Sequence, residues 1–386
     1  MSDTSRRSFL KLSAGFAAGA FVGPRLVRGA APGFELIETK VISPDDGIYR
    51  GWPSVTRTKN GELVCVCSGG RESHVCPFGR VEMFVSKDDG ASWSGPRTLI
   101  DGPIDDRDAG VLETAKGTLL VTTFTSLAYV PILEKAEANP DSWDKDRLAR
   151  WQAVHNKLTV AQRQAELGVW MIRSTDGGKT WTEPYSSIVN SPHGPIQLKD
   201  GRLLYPGKEL WHGEKRVGVA VSHDDGQSWE WLADIPTREG DSRAEYHELH
   251  GVETADGKLV VHIRNHNANH ARETLQTESS DGGKTWSIPR SIGVWGLPSF
   301  LTRLQDDRLL MSYGHRRAPL GNQARLSEDG GKTWGEPLPI SADGVSGDLG
   351  YPSTVQLEDG SLLTIWYEKM QEFPHAVLRQ AKWKLV

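Results

Sequence analysis

Five copies of one eight-residue signature, Ser-x-Asp-x-Gly-x-x-Trp, limit what this chain can fold into more than any other feature. They begin at Ser86, Ser174, Ser222, Ser279 and Ser327, and each follows an apolar, β-prone run such as VEMFV or VWMIR. The residue types are those of a tight turn. The aspartate caps backbone N–H groups, the glycine adopts a conformation that a Cβ disfavours, and the tryptophan anchors the hairpin on its neighbours. Recurrence at intervals of about 50 residues is the mark of a repeat fold, and a four-stranded propeller blade has that size.

A second repeat gives the blade count independently. Paired apolar strands hinge on Asn60-Gly61, Lys116-Gly117, Asp200-Gly201, Asp256-Gly257, Asp306-Asp307 and Asp359-Gly360. Alternating strands around such dipeptides read as hairpins. The expected fold is therefore all-β: a six-bladed β-propeller of four-stranded antiparallel blades, spanning 32–386. GFELIETKVIS, near residue 34, is expected to complete the last blade beside HAVLRQAKWKLV and so protect the sheet edges. Residues 127–168 break the rhythm in blade 2. There Leu148, Trp151, His155 and Leu158 share a helical face, which predicts a helical insertion packed on the wall or rimming the central pocket.

Composition narrows the function classes. The chain has 386 residues and a net charge of −5. With no basic stripe, nucleic acid is not an expected partner. Cys65, Cys67 and Cys76 cannot form a disulfide framework and read as inert core thiols. At the N-terminus, Ser5-Arg6-Arg7-Ser8-Phe9-Leu10-Lys11 followed by LSAGFAAGAFVG reads as a twin-arginine signal, so 1–31 is assigned to signal peptide and linker. The apolar stretch is too short and glycine-rich for a stable membrane span. The expected location is periplasmic or extracellular, in a bacterium.

Residues flanking the inner hairpins of a propeller converge at one axial pole. Before the hairpins stand Arg50, Asp106, Asp108, Glu248 and Tyr351; after them stand Glu72, His74, Arg264 and Arg316-Arg317. A purely structural rim has no need of such a concentration of ionisable groups. HELH, at 247–250, is not the helical HExxH signature, so neither a metal nor another cofactor is expected from His247, His250, His266 and His270.

Together the turn signatures, the six hairpins and this ring resemble the sialidase (neuraminidase) superfamily, whose turns are called Asp boxes, over nearly the whole mature chain. The resemblance implies an exo-glycosidase that releases a terminal acidic sugar with retention. It implies Tyr351 as nucleophile, Glu248 as its base, and Arg50, Arg264 and Arg316 as clamps on a substrate carboxylate. Three guanidiniums suit a carboxylate, and a neutral tyrosine does not repel an anionic substrate as a carboxylate nucleophile would. Two departures stand out. Arg50 lies in Arg-Gly-Trp-Pro where the family has Arg-Ile-Pro, and GGRESHVCPFG lacks the family's acid/base aspartate. Glu72 or His74 is then the expected replacement, with Asp106 and Asp108 from the adjacent blade as further site candidates. Other readings of the same scaffold are a glycoside hydrolase or lyase acting on uronosides or arabinan, and a non-catalytic glycan-binding propeller.

Overall fold

The computed structural model describes residues 33–268 and 273–386. The twin-arginine segment and His270 lie outside them. Six four-stranded antiparallel sheets surround an axis. Their innermost strands are Tyr49–Arg57, Asp105–Glu113, Ile196–Gln197, Tyr246–Glu253, Ser299–Arg303 and Leu349–Gln356, in blades 1 to 6. The N-terminal strand Phe34–Val41 pairs with Ala376–Leu385, from Phe34 opposite Leu385 to Val41 opposite Arg379. The first strand thus completes the last blade and closes the ring.

The Asp boxes turn the third strand of a blade into the fourth. In all five the serine hydroxyl donates to the aspartate Oδ1 at 2.8 Å. The glycine N–H donates back to the serine oxygen at 2.7–3.0 Å. Gly90 shows why that position excludes a side chain: its φ is +83°, and a Cβ would collide with Leu363 of blade 6. Trp93 donates to Gln380 of blade 6 at 2.7 Å, and Trp334 to Gln276 of blade 4 at 2.9 Å, so these turns also lock blades together.

Apolar faces meet between blades, and each adjacent pair encloses its own cluster. Trp366 and Trp383, fully buried between blades 5 and 6, show the scale. Each large side chain so buried contributes about 2–3 kcal/mol. Cys65, Cys67 and Cys76 are buried and unpaired, and burial raises the Cys65 and Cys67 thiols, which keeps them unreactive.

Between the second and third strands of blade 2 lie three helices: α1 (Val130–Ala138), α2 (Lys145–His155) and α3 (Val160–Ala165). Trp151 is fully buried, Leu148 packs beside it, and His155 meets the Tyr129 hydroxyl; Leu158 falls beyond the helix end. This face packs on residues 75–78, the loop that follows the first inner hairpin. No helix among the described residues is long and apolar enough to cross a membrane.

Candidate active site

Four inner strands share one irregularity. Trp52-Pro53, Asp108-Ala109, Glu248-Leu249 and Tyr351-Pro352 each bulge opposite a single residue of the next strand. The first residue of each pair is left-handed: φ is 55° at Trp52, 43° at Asp108, 48° at Glu248 and 56° at Tyr351. Such a conformation costs a non-glycine residue on the order of 1 kcal/mol or more and gathers where a side chain must be re-aimed. In sequence the four stand at one spacing ahead of their turn glycines, Gly61, Gly117, Gly257 and Gly360. Blades 3 and 5 carry Pro192 and Pro298 there, and proline's fixed negative φ excludes the bulge.

Three of the bulged side chains and two arginines form the centre. The Tyr351 hydroxyl donates to Glu248 Oε1 at 2.6 Å. Arg264 Nη1 donates to Tyr351 Oη at 3.0 Å and to Glu248 Oε2 at 2.5 Å. Arg316 donates through Nε to the Leu349 carbonyl at 2.9 Å, with its guanidinium carbon 6.0 Å from the Tyr351 ring centroid. Neither Arg316 Nη makes a hydrogen bond among the described residues. Trp52 meets Tyr351 edge to face at 6.4 Å.

Electrostatics separates these groups. Burial, then Glu248, raises the Tyr351 phenol well above its ordinary value, so Tyr351 is neutral near pH 7. Burial opposes ionisation of Glu248, but Arg264 and the Tyr351 hydroxyl outweigh it and hold the carboxylate low. Asp108 is pushed up to about 7, by burial first and partly by Glu248, with Arg107 opposing. One carboxylate held ionised beside another that is protonated below about pH 7 is an arrangement found where acid and base work are divided.

His74 is half-exposed at this pole. Its Nδ1 lies 2.8 Å from Asp348 Oδ1, and its ring meets Trp52 edge-on at 4.8 Å. Tyr49 and Tyr367 also donate to Asp348 Oδ1, at 2.9 and 3.3 Å.

Other candidate residues are held elsewhere. Arg50 is fully buried and committed: Nη1 and Nη2 grip Asp46 at 2.8 Å, and Nε donates to Glu82 at 2.7 Å. With Trp52 in the bulge, Arg50 matches Leu349 of blade 6, two residues short of the position that faces the axis. Glu72 accepts from Arg150 at 2.9 Å and Trp151 at 3.0 Å, so it pins α2 rather than joining the Tyr351 cluster. Asp106 accepts from the Gly102 amide at 2.6 Å on the loop before its own strand. Arg317 is exposed and stacks on Trp295 at 4.3 Å. Sequence reasoning did not single out Trp52, and it gave Tyr49, Asp348 and Tyr367 no role. The signal for Trp52 was its fixed spacing from the turn glycine.

Among the described residues one group, Glu245, His247 and His266, brings three metal-ligand atoms within 4.8 Å of one another. Arg264 Nε donates to His266 Nε2 at 2.6 Å. A permanent cation thus occupies that lone pair and repels a metal ion beside it. His250 is built into the floor: it stacks on Phe300 at 4.3 Å and accepts from the Leu301 amide at 2.9 Å.

Residues 155–364, more than half of the chain, match the model of the BNR repeat-like domain. The chain belongs to that family. Among solved structures, this BNR repeat-like protein is similar to a protein of unknown function from Dyadobacter fermentans. The identity is 25% and the TM-score 0.74, over 92% of this chain and 100% of the other. It is also similar to the K499G mutant of the NanB sialidase from Streptococcus pneumoniae (13% identity, TM-score 0.60, 91% of this chain and 70% of the other). A third likeness is to an alpha-L-arabinanase from Penicillium chrysogenum, in complex with arabinobiose (13% identity, TM-score 0.60, 91% and 98%). At 13% identity the last two likenesses speak for the propeller alone.

Proposed function

We propose that the protein is a retaining exo-glycosidase acting on a terminal acidic sugar that is sialic-acid-like. The observation that carries this reading is the 2.6 Å bond from the Tyr351 hydroxyl to Glu248, with Arg264 bridging both. A phenol this far above its ordinary value is a poor nucleophile unless an ionised base takes its proton as it attacks. Glu248 is that base.

In the first step Tyr351 Oη bonds to the anomeric carbon while the glycosidic C–O bond breaks. The phenolic proton passes to Glu248, and protonated His74 gives its proton to the leaving oxygen. In the second step His74, now neutral, takes a proton from water as the water oxygen bonds to the anomeric carbon. The aryl glycosidic bond from Tyr351 Oη to the anomeric carbon breaks, and the phenol recovers its proton from Glu248. Two displacements leave the anomeric configuration unchanged. Arg316, with both Nη groups open, and the second Nη of Arg264 hold the substrate anion, and Asp108, protonated below about pH 7, faces the sugar as a hydrogen-bond donor.

A second reading, a hydrolase for uronosides or arabinosides, is favoured by the commitment of Arg50 to Asp46 and Glu82, which leaves two arginines where a sialic-acid carboxylate clamp uses three. The test is turnover of 4-methylumbelliferyl sialoside, glucuronoside and arabinoside by the protein and its Tyr351→Phe variant. Sialoside turnover that collapses in the variant supports the first reading, and turnover of the glucuronoside or arabinoside without the sialoside supports the second. No turnover of any of the three, by a folded protein, overturns both.

A further inference from the structure

The loop that carries His74 is clamped from two sides. Behind it, Arg71 is buried against Asp105 at 2.6 and 2.9 Å and donates to the Ser73 and His74 carbonyls at 3.4 and 3.2 Å. On its flank, Glu72 is held by Arg150 and Trp151 of α2, and Val75, Cys76 and Phe78 pack into the cluster around Trp151. The helical insertion therefore buttresses the backbone of residues 72–78. That leaves the imidazole itself to be oriented.

Asp348 meets it from blade 6. It lies just before the Leu349–Gln356 strand, three residues ahead of Tyr351. Its Oδ1 receives Tyr49, Tyr367 and His74 Nδ1. With Nδ1 held, Nε2 is the ring nitrogen that makes no hydrogen bond among the described residues. Trp52, edge-on to His74 and to Tyr351, spans the gap between this ring and the phenol.

We propose that Asp348 is a positioning residue for His74, fixing the ring through Nδ1 so that Nε2 carries the proton exchanged with the leaving group. This rests on the glycosidase reading above and adds the residue that makes a histidine serve where the loop has no aspartate. A purely structural Asp348 would do no more than satisfy the two buried tyrosine hydroxyls. The two roles differ in what they do to the ring and to the leaving group. An orienting carboxylate selects the Nδ1–H tautomer and lets Nε2 exchange the proton. Loss of proton donation matters most for poor leaving groups and least for aryl groups that depart as stable anions.

The experiment uses the full folded chain and its His74→Ala, Asp348→Asn and Tyr367→Phe variants. Each is assayed on 4-nitrophenyl, 4-methylumbelliferyl and benzyl glycosides of whichever sugar the protein hydrolyses. His74→Ala is expected to lose about 10³-fold on the benzyl glycoside and less than about tenfold on the nitrophenyl one. Asp348→Asn is expected to repeat that slope at roughly a tenth of the effect, while Tyr367→Phe, which removes another hydroxyl from Asp348 and touches His74 nowhere, leaves the slope unchanged. An Asp348→Asn loss that is equal across the three leaving groups overturns the proposal. Imidazole ¹⁵N NMR decides the point even if no glycoside is turned over, an outcome that overturns the glycosidase reading alone. His74 is expected as the Nδ1–H tautomer in the parent chain and not in Asp348→Asn, and the same tautomer in both overturns the positioning role.

Discussion

The two mouths of the axial channel differ in a way that volume does not reveal. One lies on the face of the hairpin turns, a funnel of about 790 Å³ lined by Thr56, Ile196, Val252 and Thr302 among others and floored by His193, His250 and Phe300. Its charged rim is largely spent on neighbours, with Arg57 paired to Glu358, Arg303 to Asp307, and the Lys199 amide bonded to Glu253. The opposite mouth has four left-handed bulges, a tyrosine–glutamate–arginine cluster and a second arginine with open donors. The floor is thin: the His193 ring lies 6.3 Å from that of Tyr351. Burial drives His193 down to about 3, so the partition is neutral near pH 7. Repetition built the funnel as a by-product of six inner strands. The strained pole is where four blades depart from the repeat, and departure costs energy that only a function repays.

The sharpest way to break this contrast is at the strained pole. Tyr351→Phe and Glu248→Gln are each expected to lower kcat at least about 10³-fold while the melting temperature stays within a few degrees, as followed by steady-state kinetics and calorimetry. A comparably large fall from a substitution in the funnel would erase the distinction.

Two arginines sharpen it next. Arg50→Ala removes one of the two arginines that hold Glu82, which is fully buried and keeps Arg80, and is expected to cost about 3 kcal/mol of stability in denaturant unfolding, with KM unchanged in the protein that remains folded. Arg316→Ala should do the reverse, raising KM about 10- to 100-fold with little change in stability.

A smaller effect is expected from pH. Burial, with Asp105 and Asp101 nearby, pushes Asp106 up to about 7, opposed by the Gly102 amide. The folded state therefore keeps a proton that the unfolded state releases near pH 4. Stability from this group is full below pH 4 and is lost as pH rises to about 7. Asp106→Asn is expected to make that decline shallower and to be more stable than the parent at pH 8, by about 2 kcal/mol. Smallest of all, Arg303→Ala at the funnel rim is expected to leave turnover within about twofold, since an exposed pair contributes little.

What could be read from the chain divides along the same line. The Asp boxes and hairpins are local and repeated, so their meaning survives without tertiary information, and the closing strand at 34–41 followed from counting. The meeting of Tyr351, Glu248 and Arg264 was legible in outline because each stands at a set distance from a hairpin turn. Arg50 and Glu72 were not, because their fates depend on Glu82 one hairpin on and on Arg150 and Trp151 in a distant helix. The bulge also exchanged Arg50 for Trp52 at the axis, a change of direction that strand alternation alone does not predict.

The central claim is that Tyr351 is the nucleophile. The most direct test is trapping with fluorinated glycosyl fluorides, a 2,3-difluorosialic acid and a 2-deoxy-2-fluoroglucuronosyl fluoride, followed by peptide mass spectrometry. The account predicts one adduct, on the peptide containing Tyr351, that is absent from Tyr351→Phe. An adduct on Glu248 or Asp108, or equal labelling of the Tyr351→Phe variant, would contradict it.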